Sequence, residues 1–172
     1  MTNWHCDFIE VLLKQLKPSI YVELGVCGAV TLNRSLPLVG TAYACDLVSF
    51  DNFLNSSPSN LHKHIMSTEQ FAQKWSDEIR LPIDFIFIDA DHSKESVWKD
   101  IQNFLPWLKA DSGLMILHDM WPPSEAFTSH RHCGDAYKIN SLLRNLAGIE
   151  YTVLPIQFGI GIIRKVETDW RN

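Results

Sequence analysis

At four places this chain ends a short apolar run in ionisable side chains. Glu23 precedes Gly25 and Gly28 in Ile20-Tyr-Val-Glu-Leu-Gly-Val-Cys-Gly-Ala29, and Asp46 closes Thr41-Ala-Tyr-Ala-Cys-Asp46. Asp89, Asp91 and His92 close the run from Ile83, and His118 and Asp119 close the run from Leu114. One such ending is ordinary. Several together are expected when strands deliver their carboxyl ends to one sheet edge, where open α/β sheets bind ligands. A carboxylate beside an imidazole suits metal ligation or general-base work. With Asp91 assigned to cap the helix that follows, Asp89 and His92 are left facing the edge.

Strand, glycine turn and helix form a geometry in which backbone N–H groups face a ligand and the main chain can be approached closely. A dinucleotide fingerprint needs G-x-G-x-x-G, and here the pattern is E-x-G-x-x-G. A carboxylate is a poor neighbour for pyrophosphate and a good one for an ammonium or sulfonium, which points to S-adenosylmethionine (SAM) and away from NAD. An ordinary αβ turn can carry the same residues. Asp46 lies 23 residues after Glu23, close to the spacing at which βαβ nucleotide sites place the acid that takes the ribose hydroxyls; the competing reading is a turn or cap aspartate. Ser67 opens a helix as its cap.

The elements that must position these residues are legible in the periodicities. Asn3 to Leu16 has helical apolar spacing and stops at Pro18; its Trp4/Phe8 face could serve a homodimer. Helices are expected over Thr31–Leu38, Ser67–Trp75, Ser93–Trp107 and 134–146, with strands at 20–24, 41–46, 61–66, 83–89 and 114–119. Met120 to Cys133 reads as a loop, either a lid or a surface insertion. Two final strands, from Tyr151 and from Phe158, form an antiparallel pair. The fold class is α/β, a Rossmann-like, doubly wound, mostly parallel seven-stranded sheet with the last strand antiparallel.

Composition sets the outer limits. The 172 residues suit a single domain spanning 1–172, and 46% hydrophobic with 20% charged residues is ordinary for a globular protein. A formal net charge of -5 gives no footprint for nucleic acid. No run approaches a membrane span, and Met1 to Phe8 does not form a signal peptide. Cys6, Cys27, Cys45 and Cys133 lack C-x-x-C spacing, so reduced thiols in a cytoplasmic protein are expected.

Taken together, Glu23-Leu-Gly-Val26, Asp89-Ala-Asp-His-Ser93, Gly113-Leu-Met-Ile-Leu-His-Asp119, Gly134-Asp-Ala-Tyr-Lys138 and Phe158-Gly-Ile-Gly161 resemble class I SAM-dependent methyltransferases. The likeness is to the small-molecule and sugar O-methyltransferase subfamily with a D-A-D-H-S motif, and it runs from about Pro18 to Arg164. It implies the class I methyltransferase fold and SAM as cofactor. It also implies ribose on Asp46 and the methionine amine near Glu23 and Gly25, so that Glu23, Gly25, Gly28, Asp46, Ser67 and Asp89 are the candidate cofactor residues. Related cation-dependent enzymes bind Mg²⁺ through aspartates at the positions of Asp89 and Asp119 and through an Asn or Asp that follows directly. Met120 stands there in this chain, unless His118 substitutes as a ligand. The resemblance further implies His92 as catalytic base, assisted by Asp89, and a small-molecule or sugar hydroxyl as methyl acceptor. Three other readings compete: an NAD-dependent oxidoreductase, a metal-dependent hydroxylase-like relative, and a catalytically silent SAM-binding or assembly module.

Overall fold

The computed structural model describes residues 4–56 and 58–167. Seven strands form one sheet: β1 (Ile20–Leu24), β2 (Thr41–Asp46), β3 (Leu61–Ile65), β4 (Phe85–Ile88), β5 (Leu114–Leu117), β6 (Ile149–Leu154) and β7 (Ile160–Lys165). Their order is β3-β2-β1-β4-β5-β7-β6. β1 to β5 pair in parallel, and β7 runs antiparallel between β5 and β6. This is the expected class I methyltransferase sheet, with its chain reversal at β1, where β2 lies to one side and β4 to the other.

The inner strands read as continuous apolar runs because both faces are covered. Alternate residues serve opposite layers: Val22, Leu24, Ile86 and Ile88 pack with Phe71, Trp75, Ile101 and Phe104. Tyr21, Phe85 and Phe87 pack with Ile9, Leu13 and Leu32. The first layer carries α3 (Thr68–Lys74), α4 (Lys94–Phe104) and α5 (Asn140–Leu143); the second carries α1 (Trp4–Leu16) and α2 (Val30–Ser35).

The helix at 134–146 is shorter than its periodicity suggests, a 3₁₀ turn at Ala136–Ile139 leading into α5. Of the α1 residues offered for a dimer face, Trp4 is exposed, whereas Phe8 packs against the α1–α2 layer. Asn3, the expected start of that helix, lies outside the described residues. Among the described residues no helix is long and apolar enough to cross a membrane.

Candidate active site

Register decides which residues meet. Leu24 is level with Cys45 and with Ile88, and Ile88 is level with Leu117. Gly25, Asp46, Asp89 and His118 therefore stand in one row, a single residue past the last aligned pairs.

Gly25 is held at φ +85°, and a Cβ there would fall 2.2 Å from the Asp89 carbonyl oxygen. Only glycine lets β1 turn this close to the end of β4. The turn continues through Cys27 and Ala29, both left-handed at φ 47° and 54°. Gly28, expected to matter similarly, would accommodate a Cβ with nothing within 4 Å. The turn is fixed from β2: Asp46 Oδ2 accepts from the backbone N–H of Val26 and of Cys27, both at 2.8 Å, and Oδ1 accepts from Val48 at 3.0 Å. Burial raises the Asp46 pKa, but these N–H donors outweigh it and hold the group below its ordinary value.

Glu23, expected at the ligand, is instead turned beneath the turn. It is 1% exposed and accepts from the Tyr21 hydroxyl at 2.5 Å. Burial pushes its carboxyl up to about 8, against the Tyr21 and Leu32 donors that pull it down, with Asp89 and Asp46 adding to the rise. Burial thus favours its protonated form, and Glu23 is not among the residues lining the neighbouring cavity.

A cavity of about 290 Å³ opens along this row. Gly25, Asp46 and Leu47 form one wall, Met66 to Glu69 a second, and Ala90, Asp91 and the α4 residues Ser96, Lys99, Asp100 and Asn103 a third. Ser67 both lines the cavity and caps α3: its hydroxyl accepts from Gln70 N–H at 3.2 Å, and Gln70 Oε1 accepts from Ser67 N–H at 3.1 Å. The cap of α4 is Ser93, not Asp91 as the sequence suggested; Asp91 stands one step back and accepts from the Ser93 N–H and hydroxyl.

Beside the cavity, two carboxylates and two imidazoles alternate around a ring. His118 Nδ1 lies 3.2 Å from Asp89 Oδ1 and 3.3 Å from Asp119 Oδ1. His92 Nε2 lies 3.7 Å from Asp89 Oδ1, and its Nδ1 lies 3.4 Å from Asp119 Oδ2 and bonds the His132 carbonyl. Asp119 is buried and left-handed at φ 62°, a conformation that aims it back toward His92. Burial disfavours charge at His118, yet the two aspartates outweigh it and lift the group to about 10. His92 is lifted to about 9, first by Asp89 and also by Asp119, against its own burial. Asp89 is held well below the carboxylate range, because the two histidines overcome its desolvation.

The 120–133 loop is tied to the fold at both ends. Met120 N–H and Trp121 N–H donate to the Gly159 and Phe158 carbonyls at 3.1 and 2.7 Å, and the His132 carbonyl bonds His92 Nδ1. The residues just after it extend the contact. His92 O accepts from Asp135 N–H and Ala136 N–H, both at 3.0 Å, and Gly134 is so close that a Cβ would sit 2.2 Å from the same oxygen.

Three site neighbours escape a sequence reading. His5 on α1 brings its ring 4.5 Å from His118, and its Nδ1 lies 3.1 Å from Gln157 Oε1, 152 residues away; no local pattern could announce that contact. Burial, and then His118, keep His5 below its ordinary pKa. Asp100 lies 2% exposed in the cavity wall, with burial pushing it up to about 6. It did leave a signal, a carboxylate on the Val97–Ile101–Phe104 core face of α4.

The ring does not fit Mg²⁺. That ion demands near-octahedral oxygen coordination, but here a nitrogen is central to the only such cluster found among the described residues, Asp89, His118 and Asp119. Met120 is fully buried, with its side chain at Gly161, and offers no oxygen donor from its side chain.

Residues 22–120 match a family described as "Methyltransferase domain". Among solved structures, the chain resembles the O-methyltransferase TomG from Streptomyces achromogenes, involved in tomaymycin synthesis and in complex with SAM. The identity is 12% and the TM-score 0.79, covering 97% of this chain and 82% of that one. An O-methyltransferase from Bacillus cereus in complex with SAH (S-adenosylhomocysteine) aligns at 14% identity and a TM-score of 0.73, covering 97% and 82%. No curated protein sequence matches. With more than half its length matched and the sheet order of that fold, this chain belongs to the methyltransferase-domain family.

Proposed function

We propose that the protein transfers the methyl group of SAM to a hydroxyl of a small molecule in the cytoplasm. One observation carries the reading: the cavity and the Asp/His ring share a wall, Gly25 and Ala90 lining the first while Asp89 between β4 and Ala90 belongs to the second. A cofactor lying along the strand ends would end beside the ring, where an acceptor can be deprotonated.

Asp46 and the Met66–Glu69 corner then receive the nucleoside. The acceptor oxygen attacks the methyl carbon in line; a C–O bond forms, the C–S bond breaks, and SAH leaves. The proton goes to His92 Nε2. In its neutral form, with Nδ1 engaged by His132 and Asp119, the ring takes the tautomer that bares Nε2 toward Asp89 at 3.7 Å. Alignment of the two reactants supplies most of the acceleration, with effective molarities on the order of 10⁵ M or more. The net charge of -5 favours a small acceptor over nucleic acid, and the unpaired cysteines support a reducing compartment.

Calorimetric titration with SAM and with SAH tests the reading. Binding that is lost in Gly25→Ala and kept in His92→Ala is expected, followed by label transfer from methyl-labelled SAM to a hydroxyl compound. A protein that binds neither molecule would sink it.

A further inference from the structure

We infer that Asp100 selects the base of the cofactor: its carboxylate accepts from the exocyclic amine of adenine and rejects a base with a carbonyl there. The inference rests on the proposed SAM reading of the cavity and adds to it a specificity residue supplied by α4.

Placement comes first. Asp100 stands on the core face of α4 with Val97, Ile101 and Phe104, and it is 2% exposed. A carboxylate is among the costliest groups to bury without partners. It lines the cavity, as does Thr68, whose side chain serves it as a hydrogen-bond donor. Thr68 belongs to the start of α3, so the pair marks the seam where two walls of the cavity meet. An ionised carboxylate has about four acceptor positions. Among the described residues Thr68 is the one donor that serves Asp100, and no lysine or arginine forms an ion pair with it.

Chemistry then selects the base. Leu47, Met66 and Ala90 give the cavity apolar surface for the faces of a flat ring, while Thr68, Asp100 and Asn103 give it polar groups for an edge. Adenine presents on that edge an amine with N–H donors, beside ring nitrogens that accept. Asp100, an acceptor only when ionised, takes the amine, and the Asn103 amide has donors for a ring nitrogen. Hypoxanthine carries a carbonyl oxygen in place of the amine. Two acceptors would then face one another, with a buried charge left unsatisfied. Burial, with Asp91 adding, pushes Asp100 up to about 6 against the Thr68 bond, so above that pH it has no proton to offer a carbonyl.

The test is calorimetric titration of the full chain, at about pH 8, with SAH and with its deaminated analogue S-inosylhomocysteine. SAH should bind at least about tenfold more tightly. Asp100→Asn keeps the shape of the side chain and adds an N–H donor, so this ratio should fall to about one or reverse. A residue that only tied α3 to α4 would weaken both ligands alike and leave the ratio where it was. Should Asp100→Asn fail to fold, a crystal structure of the wild-type protein with SAH replaces it. An Asp100 oxygen is expected there at about 2.7–3.2 Å from the amine nitrogen. A wild-type ratio below about tenfold, an unchanged ratio in Asp100→Asn, or an amine bonded elsewhere in the crystal would each overturn the inference and leave methyl transfer standing. A protein that binds neither compound would remove the SAM reading and this inference together.

Discussion

The two halves of the strand edge are built by opposite means. On the cofactor half, shape is fixed by backbone: Gly25 at φ +85°, left-handed Cys27 and Ala29, and Asp46 spending three contacts on main-chain N–H groups. On the acceptor half, Asp89, His118, Asp119 and His92 face one another through side chains, with two of them shifted to about 9 and 10. In the proposed reading, the first half is preformed for SAM. The second is a charge-balanced ring whose state depends on where protons reside. Substitutions should therefore act on binding and stability in one half, and on turnover and its pH dependence in the other.

The largest effect should come from the turn. Gly25→Ala forces a Cβ to 2.2 Å from the Asp89 carbonyl in a left-handed conformation. We expect a loss on the order of 3 kcal/mol in stability together with loss of SAM binding. Gly28→Ala, with nothing within 4 Å, should change both little. Thermal unfolding and calorimetry of the pair would show it; equal effects would mean that the turn relaxes freely and that the cofactor half is not preformed.

Next in size is His92→Ala. Turnover should fall by about 10²–10⁴-fold, the usual worth of a general base, while SAM affinity stays near wild type. The pH profile sharpens this. A base must be unprotonated, and His92 is lifted to about 9, so turnover should rise with pH and level off above about 9. Asp119→Asn removes one of the charges holding that proton, and the inflection should move toward acid. A profile that ignores Asp119 would separate His92 from the titrating group.

Glu23 lies under both halves, and its effect is on stability alone. Its folded pKa of about 8 exceeds the ordinary carboxylate value of 4.5, so the folded state holds a proton that the unfolded chain releases between those two values. Stability from this group is complete below about pH 4.5 and is lost as pH rises toward 8, at up to roughly 1.4 kcal/mol per pH unit. Glu23→Gln should flatten that slope, measured as Tm between pH 5 and 8, and leave SAM affinity unchanged. Weakened binding would restore Glu23 to the ligand.

Much of this arrangement was legible because inner strands of a doubly wound sheet are uniformly apolar, so their polar ends stand out; Asp46, Asp89, His118 and Asp119 were found that way. Direction was harder. Glu23 and Tyr21 share one face of β1 by the two-residue period of a strand, which buries both, but beside a glycine turn the carboxylate read as a ligand group. Asp91 and Ser93 both suit a cap, and only the register of α4 chose the serine. His5 and Gln157 meet through tertiary packing across nearly the whole chain, which no local period encodes.

The smallest effect belongs to Ser67, which both caps a helix and lines the cavity. Ser67→Ala removes the hydroxyl that accepts from Gln70 N–H and should cost about 1 kcal/mol in stability. Any accompanying loss of SAM affinity is ambiguous, because an unravelled first turn of α3 would also deform the Met66–Glu69 wall. Ser67→Asn resolves it: asparagine caps as well as serine but carries an amide of different size into the cavity. Recovery of both stability and affinity in Ser67→Asn would assign Ser67 to the helix. Recovery of stability alone, read by Tm beside calorimetry, would make the hydroxyl a cofactor contact and extend the preformed half of the edge from β2 to the start of α3.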